Sequence, residues 1–447
     1  RRHFIDSGTL RYFEFSVIEC NRAAMETAFS HACDSSSGQL ICVLPQNISG
    51  LKELVNVAKE LTAEGGDPGP GKRTLFFFPK PIVGLENALR EYEAWRWVSA
   101  LSVLRGDRVA RKETQARLMQ AQDDLKIRLS GVFSIRGHPF NPSLSQWVHK
   151  GTVIDQVQVE NNKLLQRYLS EELNDIYRNS PRLRNELIDR RELSSQGAAA
   201  RNKLLNAMVA SEGQERLGLT GAPAEATMYD ALLGSSGIHA KYKSRLCFGI
   251  PRRLTKKTAP PDDLEQRERW VQVWKRIRKF MDKQATKAPR PVEELYDVLR
   301  QPPYGLLDGP LPVLLAAYYL SKKENAALFY EGLFVARPTP ETFHLLARRP
   351  DLFSIQTHKT KRAEQHLLGQ VHDLLKDIDL TLSATSEPKL IETVKALVMF
   401  EHSLPPYTKA TRQIRPAEAR EVARALRTAQ APKELIFQTI PKILGCS

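Results

Sequence analysis

The stretch Thr74-Leu75-Phe76-Phe77-Phe78 is apolar at every position after its first residue, and Leu40-Ile-Cys-Val-Leu44 upstream has the same character. A strand with one face in water alternates apolar and polar residues, whereas a strand covered on both faces is apolar throughout. A third strand-like run lies at 12–19. Residues 1–97 are therefore predicted to form a small parallel α/β domain. Its helices are predicted at 22–32, at 49–63 and from Val83 onward.

The remainder of the chain is predicted to be mainly helical α+β structure. A helical hairpin is expected first, with arms at 84–104 and 107–129 that meet at Arg105-Gly106. The predicted segments after residue 97 are 98–160 (the hairpin and short strands), 161–290 (a helical domain with a basic patch), 291–358 (a winged-helix-like module) and 359–447 (a C-terminal helical segment). The first domain is interpreted as an N-terminal parallel-sheet remnant.

Within 161–290, helical periodicity and stop signals define the elements. Ser194 precedes one of these helices and is expected to cap the free N–H groups of its first turn. The helices are predicted at 161–175, 181–189, 194–210, 223–233 and 262–287, and a strand at 245–250.

The order of elements in 291–358 is typical of a winged helix: two helices, a hairpin turning at Glu331-Gly332, a third helix at 340–348 and a strand at 353–356. The helix in the recognition position, 311–321, is apolar on every side. Such a helix must be buried, so it cannot present polar groups to base edges. The module is therefore expected to be structural.

The composition is that of an ordinary folded protein, with 447 residues, 42% hydrophobic and 26% charged. No apolar run approaches the roughly 18 residues that a membrane helix needs, and the N-terminal residues do not have the sequence pattern of a signal peptide. The five cysteines form no paired motif. A cytoplasmic protein without a membrane partner is predicted. Because residue 1 is Arg and a strand follows almost at once, the chain is expected to be a fragment.

Positive charge is concentrated in one segment. The chain has a net charge of +15, and residues 241–290 contain 16 Lys and Arg against 5 Asp and Glu. Nucleic acid is a common polyanionic partner for such a cluster. The twelve predicted nucleic-acid-binding residues are Lys241, Lys243, Arg245, Arg252, Arg253, Lys256, Lys257, Arg267, Lys275, Arg276, Lys279 and Lys283.

The basic helix at 262–287 separates apolar from charged residues. Trp270, Trp274 and Ile277, with Val273, Phe280 and Met281, recur at steps of three and four and are expected to face the core. Arg276 and Lys279 are three residues apart, so like charges are neighbours on the surface, which is unfavourable unless an anion offsets them. Three interpretations remain open: a nucleic-acid backbone, an acidic partner protein or another part of this chain, and plain solvation.

Catalytic motifs are not found. Gly66-Asp-Pro-Gly-Pro-Gly-Lys72 matches the start of a phosphate-binding loop, but Arg73 stands where Ser or Thr should hold magnesium, and the loop leads from a helix into a strand. Neither a metal-ligand cluster nor a catalytic Ser or His arrangement is evident. No catalytic residue, metal site or cofactor is predicted for this chain.

Several motifs resemble the region beyond the nucleotide-binding core of very large bacterial P-loop ATPases of phage-defence islands, the BREX-type PglY and BrxC-like proteins. The motifs are Tyr177-Arg-Asn-Ser-Pro181, Arg184-Asn-Glu-Leu-Ile-Asp-Arg-Arg191, Ser194-Ser195, Ala198-Ala-Ala-Arg-Asn202, Met228-Tyr229, Gly237-Ile-His239, Pro303-Tyr304-Gly305, residues 310–334, Leu404-Pro-Pro-Tyr-Thr408, Leu435-Ile-Phe437 and Leu444-Gly445. The resemblance covers most of the chain from about residue 85.

What the resemblance implies is the DNA-engaging, non-catalytic portion of such an ATPase. ATP and Mg²⁺ would then belong to a P-loop core upstream of this chain, and partner subunits would be those of a defence complex. Two rivals stay open: a scaffold module that docks partner proteins without binding nucleic acid, and a self-sufficient ATPase, for which the departures at Gly66 to Arg73 predict no nucleotide binding.

Overall fold

A computed structural model of the 447-residue chain describes residues 2–4, 10–31, 37–43, 50–63, 73–79, 84–130, 145–155, 162–242, 244–251, 254, 260–282, 288–358, 362–377, 389–411, 413, 415–429 and 431–445. The chain forms two compact units, Arg1–Tyr177 and Arg178–Ser447. The predicted boundaries are finer than this division. One difference is the helix Asn162–Ile176, which the sequence assigned to 161–290 and which packs within the first unit.

The first unit is an α/β structure built on a mixed sheet. Its elements are β1 (Arg2–Phe4), β2 (Leu10–Ile18), α1 (Arg22–Ser30), β3 (Gly38–Val43), α2 (Leu51–Leu61), β4 (Arg73–Pro79), α3 (Leu85–Ser99), α4 (Arg108–Ser130), β5 (Ser145–His149), β6 (Thr152–Val153) and α5 (Asn162–Ile176). Strands β2, β3 and β4 are parallel, as predicted, but β1, β5 and β6 add antiparallel pairs at the two sides. The expectation of a purely parallel sheet is therefore corrected to a mixed one.

Both faces of the sheet are covered, which explains the continuous apolar runs. Leu40, Leu75 and Phe77 pack with Trp147 against α5. The alternate residues, among them Ile41, Phe76 and Phe78, pack against α1 and α2. Because successive side chains of a strand point to opposite faces, each of these strands needs apolar residues at every position. The predicted hairpin is present as α3 and α4, linked by a 3₁₀ turn at Ser102–Arg105.

The second unit is mainly helical with two small antiparallel sheets. Its elements are α6 (Ser195–Ala210), α7 (Ala224–Tyr229), β7 (His239–Tyr242), β8 (Arg245–Phe248), α8 (Pro261–Asp282), β9 (Arg290–Pro291), α9 (Val292–Arg300), α10 (Leu311–Ser321), β10 (Ala326–Tyr330), β11 (Leu333–Phe334), α11 (Pro340–Arg348), β12 (Phe353–Thr357), α12 (Arg362–Asp377), α13 (Leu390–Ser403), α14 (Pro406–Ala410), α15 (Ala417–Arg427), α16 (Pro432–Glu434) and α17 (Ile440–Ile443). Strands β7 and β8 form one sheet, and the other has the order β11-β10-β12-β9.

Helix α10 lies at the centre of the second unit. Its residues 311–319 are all buried, as their apolar character predicted. The hairpin of β10 and β11 turns at Glu331 and Gly332, which both have positive φ, and the Gly tolerates this conformation without strain. Ser194 caps α6 as expected, because its Oγ accepts a hydrogen bond from the N–H of Gly197 at 3.2 Å.

One predicted helix is absent: residues 181–189 contain turns instead. The amide of Gln266 on α8 pairs with both backbone groups of Arg182, accepting from its N–H at 3.0 Å and donating to its carbonyl at 2.8 Å. This pairing holds Arg182 along α8 in a non-helical conformation. The prediction of a helix here was wrong because a long-range contact outweighs local periodicity.

Gly309 packs where no side chain fits. A Cβ at this position would lie 1.9 Å from the carbonyl oxygen of Ile188, and its N–H donates to the carbonyl of Arg190 at 2.9 Å. We expect Gly309→Ala to lower the free energy of unfolding by about 3 kcal/mol or more, because backbone must move. Gly213→Ala is the matched control, since its Cβ would meet open space. Urea unfolding of both variants measures the difference; equal stabilities would contradict the packing.

Burial of His358 predicts a pH dependence of stability. Among the described residues neither ring nitrogen has a hydrogen-bond partner, and burial, aided by the charge of Lys433, lowers the pKa of His358 to about 4. The unfolded chain takes up this proton near pH 6.5, so stability is complete above that pH and falls as the pH drops toward 4. For one such group, the free energy of unfolding changes by about 1.4 kcal/mol per pH unit between the two pKa values.

Replacing His358 by Leu is expected to remove this contribution from the pH profile of urea unfolding between pH 6.5 and 4.5. His402 is exposed, so His402→Gln provides the control that should keep the profile of the parent chain. An unchanged slope in His358→Leu would show that the ring is not held neutral in the folded protein.

Candidate nucleic-acid interface

Helix α8 is anchored by one apolar face. Trp270, Val273, Trp274, Ile277, Phe280 and Met281 are all buried in the core of the second unit, which confirms the face predicted from their spacing. Trp274 packs on Tyr318 of α10 with ring centroids 5.5 Å apart. Lys275, Arg278 and Lys279, which alternate with these anchors, are consequently exposed on the outer side of the helix.

A groove of about 520 Å³ runs beside this outer side of α8. Its lining comprises Gln272, Lys275, Arg276, Lys279, Val298, Gln301, Pro302, Pro303 and Tyr304. We call it the basic groove. One wall is α8, and the other is the end of α9 with the turn that follows it. Three of the twelve predicted residues, Lys275, Arg276 and Lys279, therefore converge on a single concave surface.

The wall opposite α8 is held by backbone hydrogen bonds. The N–H groups of Tyr304 and Gly305 both donate to the carbonyl of Gln301 at 3.1 Å, which closes the turn. The carbonyl of Pro303 accepts from the N–H of Asn179 at 3.0 Å, and the adjacent Ser180 carbonyl accepts from Arg269 of α8 at 3.1 Å. Residues 179–182 thus tie the turn and the helix together and fix the groove's width.

The three groove cations lack acidic partners in the part of the chain that the structure describes. Among the residues that the structure describes, none of Lys275, Arg276 and Lys279 has a carboxylate oxygen within 4.0 Å of its side-chain nitrogens. Two other arginines of α8 differ: Arg269 pairs with Glu265 at 2.5 Å, and Arg278 pairs with Asp282 at 3.3 Å. The uncompensated charge is therefore specific to the groove side of the helix.

The groove also offers neutral and apolar contacts. The side-chain amide of Gln272 donates a hydrogen bond to the carboxylate of Glu268 at 2.7 Å. This carboxylate lies on the N-terminal side of the three cations. Tyr304 is half-buried; burial raises its pKa, and the positive charge of Arg276 opposes the shift. Arg276 and the Tyr304 ring therefore lie close enough to interact. Such a set can bind an anionic oxygen through three cations and pack a flat group against an aromatic wall.

Arg267 has a different environment from the groove cations. Its guanidinium donates to the carbonyl of Ser235 at 2.9 Å and lies against Gly237, where a Cβ would be 2.2 Å from its Nη1. Burial lowers the pKa of Arg267. The side chain secures the turn that follows α7, and it is not part of the groove lining.

A second group of the predicted binding residues lies on the hairpin formed by β7 and β8. Lys241 and Arg245 are exposed on β7 and β8, where their backbone partners are Leu246 and Tyr242. Neither lines the basic groove. Six further predicted residues lie outside the described residues, so the structure places none of them: Lys243, Arg252, Arg253, Lys256, Lys257 and Lys283.

Sequence reasoning missed the second wall of the groove. Gln301, Pro302, Pro303 and Tyr304 carry no charge, so a search for basic residues passes over them. The run Pro302-Pro303-Tyr304-Gly305 directly after a helix is a turn signal that could have marked the wall. Its position opposite Lys275 and Lys279 depends on tertiary packing.

Within the described part of the chain, no group of three or more His, Cys, Asp and Glu side chains could hold a metal ion. The ring nitrogens of His239 lie 2.8 Å from the Tyr229 hydroxyl and 2.8 Å from the Glu212 carbonyl, so this side chain is engaged within the fold. The phosphate-loop-like sequence at 66–72 lies outside the described residues. In the described helices, none is long and apolar enough to span a membrane.

Comparison with known proteins gives no relative: no family model, curated protein or solved structure matches this chain.

Because Lys279 has no acidic partner among the described residues, its replacement is predicted to have a measurable effect on stability. Lys279 has like-charged neighbours at Lys275 and Arg276, so Lys279→Gln should raise the free energy of unfolding by about 0.2–0.5 kcal/mol at low salt. The gain should vanish at 0.5 M NaCl, where exposed charges are screened. Arg278→Gln is the control: it breaks the pair with Asp282 and should not stabilise. Urea unfolding at two salt concentrations tests both; a loss of stability in Lys279→Gln would contradict the assignment.

Proposed function

We propose that this chain is the nucleic-acid-engaging, non-catalytic portion of a large bacterial defence-system ATPase, and that it binds the backbone of duplex DNA through the basic groove. The observation that carries the proposal is the convergence of Lys275, Arg276 and Lys279, without acidic partners in the described residues, on one concave surface. The parentage rests on the motifs from Tyr177 to Gly445 that resemble those ATPases.

Like charges held together are unfavourable in the free protein, and a phosphate backbone would remove that cost. Contacts to phosphates position a protein without reading sequence, so this groove is expected to bind unrelated duplexes with similar affinity. Lys241 and Arg245 would extend the contact if the hairpin meets the same duplex. Arg267 is assigned a structural role in this proposal.

The winged-helix-like assignment of 291–358 belongs to the same proposal. In it, the module does not read bases, because α10 is enclosed. Its contribution is α9 and the turn at Pro302 and Pro303, which form the wall opposite the cations. Hydrolysis of ATP has no part in the function proposed for these residues.

Fluorescence anisotropy with two unrelated duplexes, measured between 50 and 200 mM NaCl, tests the proposal. The variant Lys275→Gln/Arg276→Gln/Lys279→Gln should weaken binding of both duplexes and lower the slope of log K against log salt by roughly 2–3, because each phosphate contact contributes about 0.9. Arg90→Gln/Arg117→Gln/Arg167→Gln removes the same charge from exposed, paired positions and should leave the slope nearly unchanged.

Binding that is absent from the parent chain at 50 mM salt, or that the groove variant retains in full, would rule the function out. A variant carrying Lys241→Gln and Arg245→Gln then tests the β7–β8 hairpin. A further fall in the slope of log K against log salt would extend the interface to these strands. Circular dichroism of each variant confirms that the fold is retained.

The alternative is a scaffold module that docks protein subunits without binding nucleic acid. One observation favours it: the α3–α4 hairpin exposes large apolar side chains, with Trp97 67%, Val109 77% and Ile127 70% exposed. Val109 and Ile127 are 18 residues apart, five helical turns, and so lie on one face of α4. Exposed apolar surface of this kind marks contact sites for other proteins.

The two functions predict different outcomes for the parent chain and for one variant of the α3–α4 hairpin. Trp97→Ser/Val109→Ser/Ile127→Ser should leave DNA affinity unchanged if the basic groove binds DNA. If the chain is a scaffold alone, the parent shows no DNA binding at any salt concentration, and the α3–α4 hairpin variant loses association with its partner subunits.

A further inference from the structure

The lining of the basic groove changes from charged to mostly apolar between its outer and inner parts. Its exposed residues are Lys275, Lys279 and Gln301, whereas the partly buried ones are Gln272, Arg276, Val298, Pro302, Pro303 and Tyr304. Contact with a duplex backbone uses the outer cations and leaves the inner aromatic and proline surface without an occupant. A ligand that fills both parts is flat, has apolar faces and carries a negative charge nearby.

The aromatic part of the groove is formed before any ligand arrives. Tyr304 and Val298 both pack against the core of the second unit. The N–H of Tyr304 donates to the carbonyl of Gln301 at 3.1 Å, and the N–H of Leu306 donates to the carbonyl of Leu299 at 2.9 Å. These bonds fix the turn on the end of α9. A ring held in this way loses little conformational freedom when a planar group stacks on it.

The groove has the volume of a small-molecule site. Its volume of about 520 Å³ lies within the roughly 300–1,000 Å³ of pockets that hold such ligands. In a paired duplex the bases are stacked on one another, so they present no face to Tyr304, although the backbone can reach Lys275 and Lys279. An unpaired nucleotide offers both groups, because its phosphate is negative and its base has an open face that stacks on aromatic side chains.

We propose that the basic groove holds one unpaired nucleotide, with its phosphate at Lys275, Arg276 and Lys279 and its base against Tyr304 and Pro303. The inference rests on the proposed function and narrows its preferred ligand from any duplex to a duplex that carries a single-stranded tail. The outer cations then contact the backbone where the tail leaves the duplex. Stacking tolerates every base, so tails of different sequence should bind with similar affinity.

Fluorescence anisotropy of the whole chain with three forms of one duplex provides the test. The first form is blunt, the second has a short unpaired tail, and the third has a tail of the same length without bases. The third form keeps the phosphates of the tail and is the matched control for its charge. The tail with bases should bind at least about fivefold more tightly than the abasic tail, because a stacked base contributes roughly 5- to 150-fold.

Variants of the groove's aromatic residue locate the effect. Tyr304→Leu should bring the ratio of the two tailed affinities close to one and leave the affinity for the blunt duplex unchanged, whereas Tyr304→Phe keeps the ring and should keep the ratio. Tyr407 is 74% exposed and does not line the groove, so Tyr407→Leu is the matched control and should also keep the ratio. Circular dichroism of each variant checks the fold.

The outcomes separate this inference from the proposed function. Equal affinities for the two tails in the parent chain, with salt-dependent binding of the blunt duplex intact, would overturn the unpaired-nucleotide site alone. That comparison needs no variant, so it holds even if Tyr304→Leu does not fold. A ratio that survives in folded Tyr304→Leu would also overturn the site. Absence of binding to all three forms would overturn the proposed function and this inference with it.

Discussion

The enclosure of the fully apolar helix α10 is the constraint on which the second unit depends. An apolar helix without a polar face must be enclosed on all sides, and the stripe from Trp270 to Met281 supplies part of that enclosure. Because the stripe fixes the rotation of α8 about its axis, it also decides which charged residues face outward. The basic groove is therefore a consequence of core packing rather than of charge alone.

Uncompensated positive charge recurs in two different environments of this unit. Lys275, Arg276 and Lys279 are near water and cost little, since solvent screens them. Arg201 on α6 is 8% exposed and has no carboxylate partner among the described residues, so its cost is far larger. Arg300, whose side chain is 28% exposed, shows the contrasting arrangement, because Glu293, Asp297 and Asp308 all pair with it.

The two compact units suggest a separation of roles. The first has a sheet covered on both faces and a helical hairpin that carries exposed apolar side chains. The second carries the groove and the buried arginine. Charge favours binding of anions by the second unit, whereas apolar exposure favours protein contact through the first. In the proposed function both could operate in one assembly, since neither surface uses residues of the other.

Sequence by itself determined the elements whose pattern is local. The doubly covered strands at 40–43 and 74–78, the buried helix 311–319 and the anchoring face of α8 follow from period and composition alone. Tertiary structure decided what distant residues do to one another. It added antiparallel strands to the predicted parallel sheet, replaced the helix at 181–189 through Gln266, and set Tyr304 opposite Arg276. Among the described residues it left Arg201 without a carboxylate partner, which periodicity does not reveal, because pairing depends on separations in space and not along the chain.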